Sequence, residues 1–361
     1  MNSLLERPEF SELLEVLRSQ SCPDRVDAWP ADQLAALADA GVLRWDVPEE
    51  FGGVNLDAES QTEGLRLLSS ACLLTTFILT QRSAAVRRIA TSPNETVRRN
   101  LLPKLLSGDT FATVGISHLT TSGQHLRTPR VQAQTDGEDY VLSGLVPWAT
   151  GATKADFLVT GGTLTDGRQI LVAIPREAPG MDVLPPVPLM ALNASQTGAV
   201  RLTDVRIPGN LLLHGPVEGV MNQGTGGGAG SVGTSALAIG ASTGMLRQLH
   251  AEAESRPDLR PFADAFQAEC DRLTQNLRDV AAGRTSDPQE AAGQLRTAAN
   301  SLVLRTAQAW LAATKGAGYV SGHPADRAVR ESMFFLVWSC PQPVLAANIR
   351  ELACGLLTEP Q

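Results

Sequence analysis

The stretch "DGEDYVLSGLVPWATGATKADFLV" (136–159) decides how this chain folds. It opens on an Asp-Gly pair, with "RVQAQT" (130–135) before it and "YVLSG" (140–144) after it, both alternating apolar and polar residues. Alternation on either side of such a pair predicts a β-hairpin. Downstream, "DFLVTGGTLTDGRQILVAIP" (156–175) repeats the pattern around a second Asp-Gly turn at 166–167, and "GAVRLTDVRIP" (198–208) adds another alternating strand. Several short strands with closely spaced turns predict a small β-barrel or sandwich over residues 111–215.

Helical periodicity flanks this block. In residues 1–110, "FSELLEVLRSQ" and "ADQLAALADAGVL" place apolar residues at helical spacing, the second ending at Gly41. "LRLLSSACLLTTFIL" (65–79) reads as one buried helix, shorter than the ~20 apolar residues that cross a bilayer. "SPNETVRRNLLPKLLSG" (92–108) begins on the capping types Ser92 and Asn94 and stops at Gly108. Residues 216–361 hold four helical segments, and long amphipathic segments with short joints predict a four-helix bundle. The expected fold class is therefore α+β and multidomain: an N-terminal helical domain (1–110), a middle β domain (111–215) and a C-terminal helical bundle (216–361).

Composition narrows the function. The 361 residues are 43% hydrophobic and 19% charged, as in a folded globular protein. A net charge of −8 argues against nucleic acid as a partner. The five cysteines are scattered, without a CxxC pair, so neither a zinc site nor a disulfide framework is expected. With no signal-peptide pattern in "MNSLLERPEF", the expected location is the cytoplasm, away from membranes. His118 and His125 are too poorly spaced for a metal site. The run "GTGGGAG" (224–230) lacks the preceding strand and the following acid that a dinucleotide fingerprint needs.

Five pieces in order give the chain a family likeness: "VPEEFGGVNLD" (47–57), "NLLPKLLSGD" (100–109), the opening stretch at 136–159, "LTDVRIPGNLLL" (202–213) and "KGAGY" (315–319). Over roughly residues 40–350 the chain resembles the acyl-CoA dehydrogenase superfamily. That resemblance implies FAD held among helical, β and helical domains, an acyl-CoA or related small-molecule substrate, and a homodimer or homotetramer. It sets Trp148 beside the flavin ring and Thr150 near its reactive nitrogen. A flat apolar wall keeps water from a ring that receives hydride, and a small donor steadies the negative charge of the reduced ring. Matching by distance from Trp148 sets Ser117 and His118 of "SHLTTSGQH" (117–125) beside the ring and Gly123 and Gln124 near the pyrophosphate. Arg256 matches an arginine near the flavin's phosphate or adenine.

The chain also departs from the family pattern. Ala312 stands where many relatives carry a glutamine that helps hold FAD across subunits. The dehydrogenation needs a carboxylate base to take a proton beside the thioester carbonyl. Its usual position corresponds to Ser339 in "FFLVWSCPQPV" (334–344), and an alternative position on an earlier helix corresponds to about Gly230. No acid lies between Glu331 and Glu351 or between Glu218 and Glu252. A hydroxyl is a very poor base without an activating partner. Three readings follow: a dehydrogenase with an unrecognised base, a flavin oxidase or monooxygenase on the same fold, and a non-catalytic homologue. No catalytic residue and no electron acceptor is legible.

Overall fold

The computed structural model describes residues 3–20, 22–120, 128–224 and 232–353. It is an α+β multidomain architecture, with N- and C-terminal helical regions around a central mixed β-sheet. The first region contains α1 (Pro8–Ser19), α2 (Ala31–Asp39), α3 (Ala58–Ala71), α4 (Leu73–Ala90) and α5 (Glu95–Ser107). Caps set their bounds. The Asp57 carboxylate accepts from the Ser60 amide at 2.8 Å to start α3, and Asn94 accepts from the Val97 amide at 3.3 Å to start α5. Gly108, at φ 87°, ends α5 in the left-handed conformation that glycine adopts without strain.

The run 65–79 is not one helix. Cys72 is extended (φ −154°, ψ 107°) and divides it into α3 and α4. The Cys72 amide still donates to Leu68 at 2.9 Å, and its carbonyl accepts from the Thr76 amide at 3.2 Å, so both helices keep their end hydrogen bonds. The apolar pattern continues across the break, because both helices are buried there.

The strands are β1 (Ala112–Val114), β2 (Val131–Asp136), β3 (Asp139–Ala149), β4 (Phe157–Thr163), β5 (Gln169–Pro175), β6 (Met181–Val183), β7 (Gly198–Ile207) and β8 (Leu212–Val217). They join in one eight-stranded sheet of order β6-β7-β3-β2-β4-β5-β8, with β1 paired parallel to β4. Both predicted hairpins are present: β2 and β3 pair antiparallel around Gly137, and β4 and β5 around Gly167. Those glycines take φ 62° and 89°, which turns this tight demand. A short helix, α6 (Ser117–Thr120), follows β1.

The C-terminal region contains α7 (Val232–Ser255), α8 (Arg260–Ala281) and α9 (Pro288–Gly318), the last interrupted near its end by Lys315 at φ 54°. The fourth predicted segment is divided. It forms α10 (Pro324–Ser332), a 3-10 turn at Met333–Leu336 and α11 (Gln342–Leu352). Between them Ser339 sits at φ 49°, and Pro341 caps α11. Buried Arg296 of α9 holds this crossing by donating to the carbonyls of Phe335 at 3.4 Å and Trp338 at 2.9 Å. Asn300 donates to the Phe335 carbonyl at 3.1 Å as well.

One apolar core joins α4 to α7, α8 and α9, and a second joins α4 and α5 to β1, β4, β5 and β8. Helix α4 thus belongs to both. Helix α3 crosses α7 at a close contact, where a Cβ on Gly240 would lie 2.2 Å from the Arg66 carbonyl oxygen. Among the described residues, no helix is long and apolar enough to cross a membrane.

Candidate functional site

A cavity of about 720 Å³ lies where α4, the sheet and the α10–α11 crossing meet. That volume is within the range of small-molecule sites, ~300–1,000 Å³. Of the residues singled out from sequence, Ser117, Trp148, Thr150 and Ser339 all line it.

Trp148 reaches it through a bulge. Strand β3 pairs with β7 at Val146↔Val200 and next at Ala149↔Gly198, so β3 holds one residue more than its partner there. Pro147 within the bulge has no amide hydrogen to give a ladder. A bulge re-aims the side chains around it, and the Trp148 indole is left 48% exposed along the cavity wall.

Thr150 is held from two sides. Its carbonyl accepts from the Thr113 hydroxyl at 2.7 Å, and its own hydroxyl lies 3.0 Å from that of Thr197. Thr197 Oγ1 is in turn 2.8 Å from Ser195 Oγ. Each hydroxyl has one proton to give. If Ser195 donates to Thr197 and Thr197 to Thr150, the Thr150 proton remains for a group in the cavity.

Ser117 begins α6 directly after β1, and its buried Oγ has no hydrogen-bond partner among the described residues. Beside it, His118 Nε2 lies 2.9 Å from the Gly161 carbonyl oxygen. That bond requires the proton on Nε2 and leaves Nδ1 an acceptor; Nδ1 too is buried without a partner among the described residues. Burial holds the imidazole below its ordinary pKa, helped by the charge of Arg130 and opposed by the bond to Gly161. His118 is therefore neutral around pH 7. A hydroxyl and an imidazole acceptor left buried without partners suit a ring whose edge carries both N–H and C=O groups.

Of the remaining sequence candidates, only Arg256 lies among the described residues away from this cavity. Arg256 follows α7, pairs with Glu252 at 2.8 Å and is absent from the cavity lining. Gly123, Gln124, His125 and Gly230 lie outside the described residues. Among the described residues, no Asp or Glu lines the cavity.

Sequence reasoning missed one wall altogether. Phe77, Thr80, Gln81, Ala84 and Arg87 of α4 face the cavity at helical spacing. The signal was present in the polar residues recurring every three or four positions along an otherwise apolar helix. Phe77 meets Phe334 and Trp338 edge-on, with ring centroids 4.7 and 5.2 Å apart.

Residues 16–109 match the family described as acyl-CoA dehydrogenase, N-terminal domain. The chain is 27% identical over 255 residues to a probable acyl-CoA dehydrogenase, YngJ, of Bacillus subtilis, a match covering 68% of this chain and 66% of that protein. It is 25% identical over 334 residues to the mouse mitochondrial short-chain specific acyl-CoA dehydrogenase, covering 86% of this chain and 79% of the relative. Among solved structures, a glutaryl-CoA dehydrogenase from Mycobacterium smegmatis in complex with FADH2 superposes with a TM-score of 0.78 at 17% identity, covering 97% and 96% of the two chains. The fold is that of the acyl-CoA dehydrogenases, and residues 16–109 are similar in sequence to that family's N-terminal domain.

Proposed function

We propose that this chain is an FAD-dependent oxidoreductase acting on an acyl thioester. One observation carries the reading: a single cavity gathers the Trp148 indole, the Thr150 hydroxyl and the Ser117 hydroxyl, which has no partner among the described residues, with the His118 acceptor beside it. The similar structure that holds FADH2 supports the same cofactor. When bound, FAD supplies the hydride acceptor. Trp148 gives its ring a flat apolar wall that excludes water, and Thr150 donates toward it. Ser117, on the cavity wall, would offer its hydroxyl to the polar edge of the ring, with His118 packed behind it.

The cavity lining favours one further distinction. Without a carboxylate on the described walls, proton removal beside a thioester has no evident agent. Ser339 lines the cavity near Trp338, but a hydroxyl does not replace a carboxylate unaided. This favours, as a second reading, an oxidase or monooxygenase on the same fold over an ordinary dehydrogenase.

Purified protein should be yellow and should gain thermal stability from added FAD, because a ligand bound only to the folded state raises the melting temperature. Anaerobic mixing with acyl-CoA thioesters is expected to bleach the colour. A colourless protein indifferent to FAD would remove the cofactor; a yellow protein bleached by none of the thioesters would remove the substrate class.

A further inference from the structure

Helix α4 gives the cavity two unlike ends. Phe77, packed on Phe334 and Trp338, marks an aromatic end. Arg87, ten residues further along the same helix, marks a cationic one. At ~1.5 Å per residue they stand about 15 Å apart along the helix axis.

The charge on Arg87 has no counter-ion in view. Among the described residues it makes no ion pair, and its Nε is buried without a hydrogen-bond partner. The other cavity arginine, Arg330, differs: Asp24 and Asp326 hold it at 2.6 and 3.1 Å. The segments 121–127 and 225–231 contain no Asp or Glu. Its neighbours deepen the excess of positive charge. Arg88 is fully buried, and its pKa is pushed down to about 10 by burial and by the charge of Arg87. Half-buried positive charge is costly unless something anionic completes it.

We infer that Arg87 anchors an anionic oxygen group carried by the substrate, while the aromatic end of the cavity receives an uncharged part. This rests on the acyl-thioester reading and narrows its substrate class. Guanidinium matches carboxylate and phosphate alike, in a two-bonded geometry that an ammonium does not reproduce. Two sources could supply the group: a carboxylate on the acyl chain, or a phosphate on the pantetheine arm.

Calorimetric titration of the full-length chain with butyryl-CoA, glutaryl-CoA and butyryl-pantetheine separates them. Wild type is compared with Arg87→Gln and Arg87→Lys, with FAD content and melting temperature recorded for each. If the acyl carboxylate is the partner, Arg87→Gln weakens glutaryl-CoA at least tenfold and leaves butyryl-CoA unchanged. If a phosphate is the partner, it weakens both CoA thioesters at least tenfold and leaves butyryl-pantetheine unchanged. Arg87→Lys, which keeps the charge, should recover part of the loss in either case. Three results would overturn the inference: wild-type affinity for every probe in Arg87→Gln, equal loss for all three probes, or no binding of either CoA thioester by wild type. Because binding is read as heat, a colourless protein would defeat the flavin reading and still leave this test intact.

Discussion

Substitution of Gly240 by alanine sets two effects of known sign against each other. Gly240 lies inside α7 where α3 crosses it, and a Cβ there would sit 2.2 Å from the Arg66 carbonyl oxygen and 2.8 Å from the Ser69 Cβ. Helix propensity alone favours alanine by about 1 kcal/mol. The contact opposes it. Backbone cannot yield as a flexible side chain can, so the helices must part by roughly 1 Å, and overpacking of this kind costs about 1–3 kcal/mol. Separation also stretches the hydrogen bond from the Ser69 hydroxyl to the Leu237 carbonyl, now 2.8 Å, for about 1 kcal/mol more. The net expectation is a loss of about 1–3 kcal/mol, measured as the shift of the urea midpoint at constant slope. Gly293→Ala in α9 is the control, since nothing lies within 4 Å of a Cβ placed there; it should gain about 0.5–1 kcal/mol. Equal stabilisation by both substitutions would refute the close-contact argument.

Thr150→Val is expected to weaken FAD binding about tenfold, as the loss of one good hydrogen bond would. Unchanged FAD affinity and unchanged reduction would remove Thr150 from the site. Arg296→Met should leave global stability within about 2 kcal/mol of wild type. Burial that holds the guanidinium down to about 10 costs on the order of 3 kcal/mol, and this relief offsets charge-assisted bonds worth about 1.5–3 kcal/mol each. Faster amide exchange confined to residues 333–341 would accompany it; global unfolding would show that the arginine does more than hold the crossing. For pH, the depressed pKa of His118 means that the unfolded chain takes up a proton first as pH falls through ~6.5. The stability from neutral His118 is therefore present above that value and lost as pH drops toward the lower folded pKa. His118→Asn should flatten this part of the stability profile below about pH 6.5, and an unaltered profile would mean the imidazole is not buried neutral.

What could be read from sequence followed how local the cause was. The hairpins at Gly137 and Gly167 and the caps at Asn94 and Gly108 rest on neighbours in the chain, and they occur as the residues require. The break at Cys72 was not legible, because the apolar run continues through it and only the packing of α4 against two cores explains the change of direction. Trp148 could be picked out, but its exposure depends on a bulge set by the register of β7, more than fifty residues away. Arg256 was drawn from family resemblance, and in the fold it pairs with Glu252 at 2.8 Å. Arg87 was the hardest to see, since an arginine in a buried helix reads as a surface stripe until the cavity is known. Its meaning lies in the absence of an acid among the described residues of the walls around it. The same property of the described lining bears on both the chemistry and the choice of substrate. A lining without acids among the described residues does not oppose the attraction of an anionic group by Arg87.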